Sequence, residues 1–115
     1  MNYPTVEDFL EEFGIYPVEV DPSLALCRYT KKSGNSGPEV DISFSAVMRS
    51  FQVNLKVAGR ELAVISSESV SSIELVRDAS GAGVRVVFDV SGLVSEAIVM
   101  LEPEVSCRWW TLRNA

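Results

Sequence analysis

The sequence predicts an α+β fold that is mostly β: one N-terminal helix packed on seven to nine antiparallel strands, arranged as a sandwich or a partly open barrel. Three observations carry this expectation. Apolar residues recur at helical spacing only near the N-terminus. From about residue 16 onward they alternate with polar ones. Clusters of Gly, Ser, Asn, Asp and Pro break that alternation at short intervals, as turns do between strands. The chain has 115 residues, 47% hydrophobic and 23% charged, which suits a single globular domain over residues 1–115. At this length folding buries about two-thirds of the surface of the unfolded chain, so neither a disulfide nor a metal is required.

The helix is expected over residues 5–13. Val6, Phe9, Leu10 and Phe13 fall at i, i+3, i+4 and i+7 and form one apolar stripe, while Glu7, Asp8, Glu11 and Glu12 occupy the opposite face. Thr5 suits the N-cap, Asp8 stands where a capping box has its acid, and Gly14 suits the left-handed residue that ends a helix. The two phenylalanines are expected to dock the helix on a sheet.

The strands follow in order. Val18 and Val20 predict a first strand that Pro17 and Pro22 restrict to an edge or a short piece. Residues 24–30 predict a second, and residues 32–38 a loop. Val40, Ile42 and Phe44 alternate with Asp41, Ser43 and Ser45, the pattern of a half-buried strand. Phe51, Val53, Leu55 and Val57, then Leu62 and Val64 beyond Ala58-Gly59-Arg60, predict a hairpin. Ile73 and Leu75 continue the series. Gly81-Ala82-Gly83 is expected to close a hairpin before Val84, Val86, Phe88 and Val90. The run 97–101 is expected to be buried on both faces, the serine-rich segment 66–72 to be a polar edge strand, and the last strand to run over 105–112.

Composition removes several kinds of chemistry. With no histidine, the chain supplies neither the commonest general base nor a Ser-His or Cys-His pair nor a histidine metal ligand. Cys27 and Cys107 lack the close spacing of zinc or redox motifs and are expected to be small, reduced, buried side chains. Gly34-Asn35-Ser36-Gly37 lacks the spacing and lysine of a phosphate-binding loop. Two-carboxylate catalysis needs no histidine, but no acid pair stands out. The expectation is therefore a protein that is not an enzyme and holds no cofactor or metal. The first residues carry neither a basic region nor an apolar core of secretory type, and no apolar run is long enough to span a bilayer, so a cytoplasmic location is expected.

Charge is unevenly distributed. Up to Asp21 the chain has six acids, Glu7, Asp8, Glu11, Glu12, Glu19 and Asp21, and the first base is Arg28. The remaining acids and bases balance, so the formal charge of −6 arises wholly from this segment. Glu7 with Glu11 and Asp8 with Glu12 are like-charge pairs at i, i+4, each costing about 0.2–0.5 kcal/mol of helix stability. Glu11 and Glu12 also approach the negative end of the helix dipole. Two accounts remain open: a docking surface for a basic partner, or a solvated face that keeps a small protein soluble. The same acidity argues against direct binding of nucleic acid, whose affinity rests on phosphate neutralisation. Adjacent Trp109 and Trp110 must point to opposite faces of a strand, one into the core and the other exposed or covered by the helix, with Glu102 and Glu104 just upstream.

A small acidic domain with an acidic N-terminal helix, an antiparallel sheet and no catalytic equipment resembles the immunity proteins of bacterial toxin systems, including those of contact-dependent growth inhibition. The resemblance implies a monomer or weak dimer that binds a cognate toxin domain, often a basic nuclease, and occludes its active site or substrate path. The contacts it implies are Glu7, Asp8, Glu11 and Glu12, with Trp110 as anchor beside Glu102 and Glu104. A secretion chaperone or acidic adaptor is the alternative, and a small-molecule carrier on a closed barrel a third.

Overall fold

Two antiparallel meanders stack face to face, and one helix lies along the side of the stack. A computed structural model describes residues 3–34 and 37–113. Helix α1 (Val6–Phe13) precedes β1 (Glu19–Asp21), a single 3₁₀ turn at Pro22–Leu24, β2 (Leu26–Lys32), β3 (Glu39–Ser45), β4 (Ser50–Val57) and β5 (Arg60–Ser67). These five strands form the first sheet in chain order. The second sheet, also in chain order, holds β6 (Val70–Asp78), β7 (Gly81–Val90), β8 (Leu93–Glu102) and β9 (Ser106–Arg113). Neither sheet closes on itself, so of the two expected architectures the sandwich is the one formed.

The capping signals act as the sequence suggests. Thr5 Oγ1 accepts from the Asp8 N–H at 3.1 Å and the Asp8 carboxylate accepts from the Thr5 N–H at 2.8 Å, a reciprocal box. Gly14 ends the helix at φ +67, where its N–H donates to Leu10 O. Pro17 and Pro22 bracket β1, which is three residues long and lies at a sheet edge.

Alternation sorts the rest. Val40, Ile42 and Phe44 of β3 and Phe51 and Val53 of β4 point inward and meet Val84, Val86 and Phe88 of β7 and Ala97, Val99 and Leu101 of β8. The run 97–101 is not buried on both faces. Ala97, Val99 and Leu101 are buried, whereas Ile98 and Met100, on the outer side of the second sheet, are only partly buried, because no helix or strand among the described residues packs over that side. The glycines of 81–83 also differ from expectation. Ala79 and Ser80 make the turn, and Gly81 and Gly83 lie within β7, where β8 comes too close for a side chain. A Cβ on Gly83 would sit 2.2 Å from Val99 O, and one on Gly81 2.0 Å from Glu102 O. The polar segment 66–72 runs from one edge strand to another over the corner at Glu68 and Ser69, where Ser69 O accepts from Asp89 N–H. Cys27 and Cys107 are free thiols, half-buried against the core, and burial raises the pKa of each.

Helix α1 fills the gap between the inner face of β2 and β3 and the edge of β6. Phe9 is fully buried and stacks on Tyr29 at 3.9 Å between centroids, with Phe13 and Phe44 at 5.5 and 5.9 Å. At the other flank Arg77 of β6 reaches Glu12.

Candidate functional site

The acids of α1 serve different purposes, which tertiary contacts decide. Glu12 and Glu102 converge on Arg77, whose guanidinium also donates to Glu12 O at 3.2 Å. The two carboxylates hold the Arg77 pKa above its ordinary value, that of Glu12 first. This clamp ties the end of α1 to the β6 and β8 strands, so Glu12 and Glu102 are engaged within the molecule. Asp8 closes the capping box. Glu7 and Glu11 are exposed, have no ion-pair partner among the described residues and leave their full charge facing solvent.

Between α1 and β6 runs a cleft of about 330 Å³. Tyr3, Pro4, Ile73 and Leu75 form its apolar lining, and Asp8, Glu11, Glu12 and Glu74 bring carboxylates to it. A cleft of this composition accommodates the aliphatic stem of a lysine or arginine while its head meets carboxylates. Beneath the helix the Tyr29 hydroxyl is buried without a hydrogen-bond partner. Burial, followed by the negative charges nearby, pushes its pKa up to about 12.

The remaining predicted contacts lie elsewhere. Trp109 is the inward residue, stacked on Phe88 at 4.8 Å and 6.3 Å from Phe51. Trp110 faces outward on β9, half-buried, with the Arg108 guanidinium 5.7 Å from its ring centre. Arg108, and not the helix, lies over it. On the same outer face, Arg85 joins Glu74 and Glu96 across three strands. Glu104 is exposed in the β8–β9 turn. The structure thus brings Glu12 and Glu102 together on one arginine, groups Glu7, Asp8 and Glu11 along the helix, and leaves Trp110 on the outside of the second sheet.

Sequence reasoning did not anticipate the surface of β1. Tyr16, Val18 and Val20 are 68%, 55% and 49% exposed. Val20 lies opposite Cys27, on the core-facing side of the sheet, yet it stays half-exposed and is not packed against the core. Their alternate spacing was the available signal, but alternation alone does not say which strand face is covered. Glu19 on the other face is 3.5 Å from Arg28, which also grips the buried Asp41 carboxylate at 2.7 and 2.9 Å. Asp21 accepts from the Ser23 N–H and hydroxyl, bonds that lower its pKa.

Among the described residues there is no group of three or more His, Cys, Asp or Glu arranged to hold a metal, and no helix is long and apolar enough to cross a membrane. No protein-family model matches the sequence, nor does any curated protein. Among solved structures, a chain of a contact-dependent growth inhibition toxin–immunity protein complex from Klebsiella pneumoniae 342 is similar throughout. The TM-score is 0.87 at 23% identity, over 96% of this chain and 96% of that one. In fold, then, this chain resembles a component of a contact-dependent growth inhibition toxin–immunity complex over nearly its whole length.

Proposed function

We propose that this chain is an immunity protein that binds a cognate toxin domain, a basic nuclease, in the bacterial cytoplasm and neutralises it by occluding its active site or substrate path. The observation that carries the reading is the end-to-end likeness of fold to a chain of a toxin–immunity complex. The composition favours the inhibitor half of such a pair: the chain has no histidine and an excess of acid concentrated in residues 1–21. A nuclease must attract phosphates, so its substrate path is basic, and an acidic surface seated there replaces the substrate's charge. Glu7 and Glu11, with Asp8 beside them, supply that surface, and Trp110 and Glu104 offer further contacts. The chain itself performs no chemistry.

The test begins with the tagged protein purified from its native cell at low salt and mass spectrometry of what accompanies it. A toxin domain in equimolar amount is expected. Expressed alone that domain stops growth, and co-expression of this chain restores it. Growth arrest by this chain alone would identify it as the toxin half, and rescue without a complex would remove the occlusion mechanism.

A further inference from the structure

We propose that the free edge of β1 receives an extended segment of the partner toxin in which apolar residues alternate with lysine or arginine, added as a sixth strand to the first sheet. This rests on the immunity reading and names the surface that makes the contact. Its basis is a row of large apolar side chains that folding leaves uncovered. Tyr16, Val18 and Val20 are each about half-exposed or more, although Val20 projects from the core-facing side. Burying such side chains against a guest strand follows the ordinary logic of sheet extension, in which backbone bonds give affinity and alternate side chains give specificity.

Charge selects both the edge and the guest. Each sheet has two edges, and the other three suit a basic strand poorly. The edge of β6 lies beneath α1, held by the clamp from Arg77 to Glu12. Strand β5 also exposes Leu62 and Val64, but a register shift beside Leu55 and Lys56 disturbs its ladder there, and bulges of that kind blunt an edge. Strand β9 carries Arg108 and Arg113 and no acid. In and just before β1, Glu19 and Asp21 alternate with Val18 and Val20, within a 21-residue segment that has six acids and no base. Two copies of β1 paired antiparallel would set acid against acid, which is destabilising in directly opposed cross-strand positions. A guest with basic residues at the same positions gains what a second copy loses. Pro17 and Pro22 limit the added ladder to a few residues, so the side chains of the row must contribute much of the binding.

The experiment uses the purified toxin domain and the full chain. Backbone amide exchange at residues 19–21 is measured with and without toxin, and affinity is compared for the wild type, Val18→Ser with Val20→Ser, and Glu19→Lys. Strand addition is expected to slow exchange at these amides, and the double serine variant to bind about tenfold more weakly or worse. Because both valines are half-exposed, its thermal midpoint should stay near that of the wild type, which separates lost contact from lost folding. Full-affinity binding with unchanged exchange at 19–21 would overturn the β1 assignment and leave the immunity reading standing. A wild type that binds no toxin would overturn both. Protection of these amides in the absence of toxin, with a doubled mass by light scattering, would assign the edge to a second copy and overturn the proposal.

Discussion

Replacing Phe9 by alanine tests whether the helix is a structural layer of this fold or an appendage to a self-sufficient sandwich. The ring is fully buried and stacks on Tyr29 at 3.9 Å with an interplanar angle of 11°. Phe→Ala changes in packed cores cost about 3–5 kcal/mol, because the lost transfer energy adds to that of the cavity left behind. Three further aromatic rings line this site, Phe13, Tyr29 and Phe44. Flat rings do not collapse readily into a void, so the upper part of that range, about 4–5 kcal/mol, is expected. Against a total stability of about 5–15 kcal/mol for a domain of ordinary size, this is about a quarter or more of what holds the protein together. The assay is urea denaturation followed by far-ultraviolet dichroism and by tryptophan fluorescence. Trp109 reports from between the sheets, away from the helix. The expected result is a large fall in midpoint, with the same m-value and coincident curves from both probes, since helix and sheets share one core. A loss below about 1.5 kcal/mol, or a dichroism change that precedes the Trp109 transition, would refute the reasoning. Either would mean that the helix undocks while the sandwich stands.

Tyr29→Phe removes a buried hydroxyl that has no partner and should leave stability at pH 7 unchanged or slightly raised, measured by thermal melts. The same group contributes to alkaline stability, beside Tyr3 and the Cys27 and Cys107 thiols, whose pKa values burial also raises. A phenol whose folded pKa lies at about 12, above its ordinary 10, holds its proton longer in the native state, so its stabilisation is intact below pH 10 and is lost as pH rises towards 12. Over that window Tyr29→Phe should therefore lose about 2–3 kcal/mol less than the wild type; parallel curves would show that the Tyr29 hydroxyl does not contribute. Gly83→Ala should cost well over the roughly 1 kcal/mol of an ordinary strand substitution, because the new Cβ meets the Val99 carbonyl at 2.2 Å; a near-neutral denaturation midpoint would contradict the close approach of β7 and β8. Glu7→Lys with Glu11→Lys should preserve folding and slow association with the toxin, with a weaker dependence on salt, as stopped-flow kinetics would read; an unchanged association rate would remove the helix from the interface.

Much of the fold was readable because its signals are local. Thr5 and Asp8 are three residues apart, and their reciprocal bonds need nothing beyond the first helical turn. Val40, Ile42 and Phe44 declare a buried face by alternation alone, and Pro17 and Pro22 confine β1 for reasons internal to proline. The candidate site was less legible. The sequence set Asp8 apart as the capping acid but gave no reason to separate Glu11 from Glu12, yet Arg77, 65 residues beyond Glu12, draws Glu12 and Glu102 inward and leaves Glu7 and Glu11 without an ion-pair partner among the described residues. Alternation required Trp109 and Trp110 to part but could not say which faced the second layer. It missed the crowding by β8 that makes residues 81 and 83 glycine, and it did not say whether the Val18 and Val20 side of the short first strand would be covered.

By itself the sequence determined the helix and its caps, the succession of short strands, the acid concentrated before Arg28, and the absence of histidine chemistry. Each follows from neighbours in the chain or from composition. Only the tertiary structure decided that the strands make two open sheets, that the helix fills the gap between β2, β3 and β6, which carboxylates remain unpaired among the described residues, and that the apolar side chains at β1 stay uncovered. Those outcomes depend on which distant segments meet, and the side-chain pattern of a strand is the same whether or not a second layer comes to rest on it.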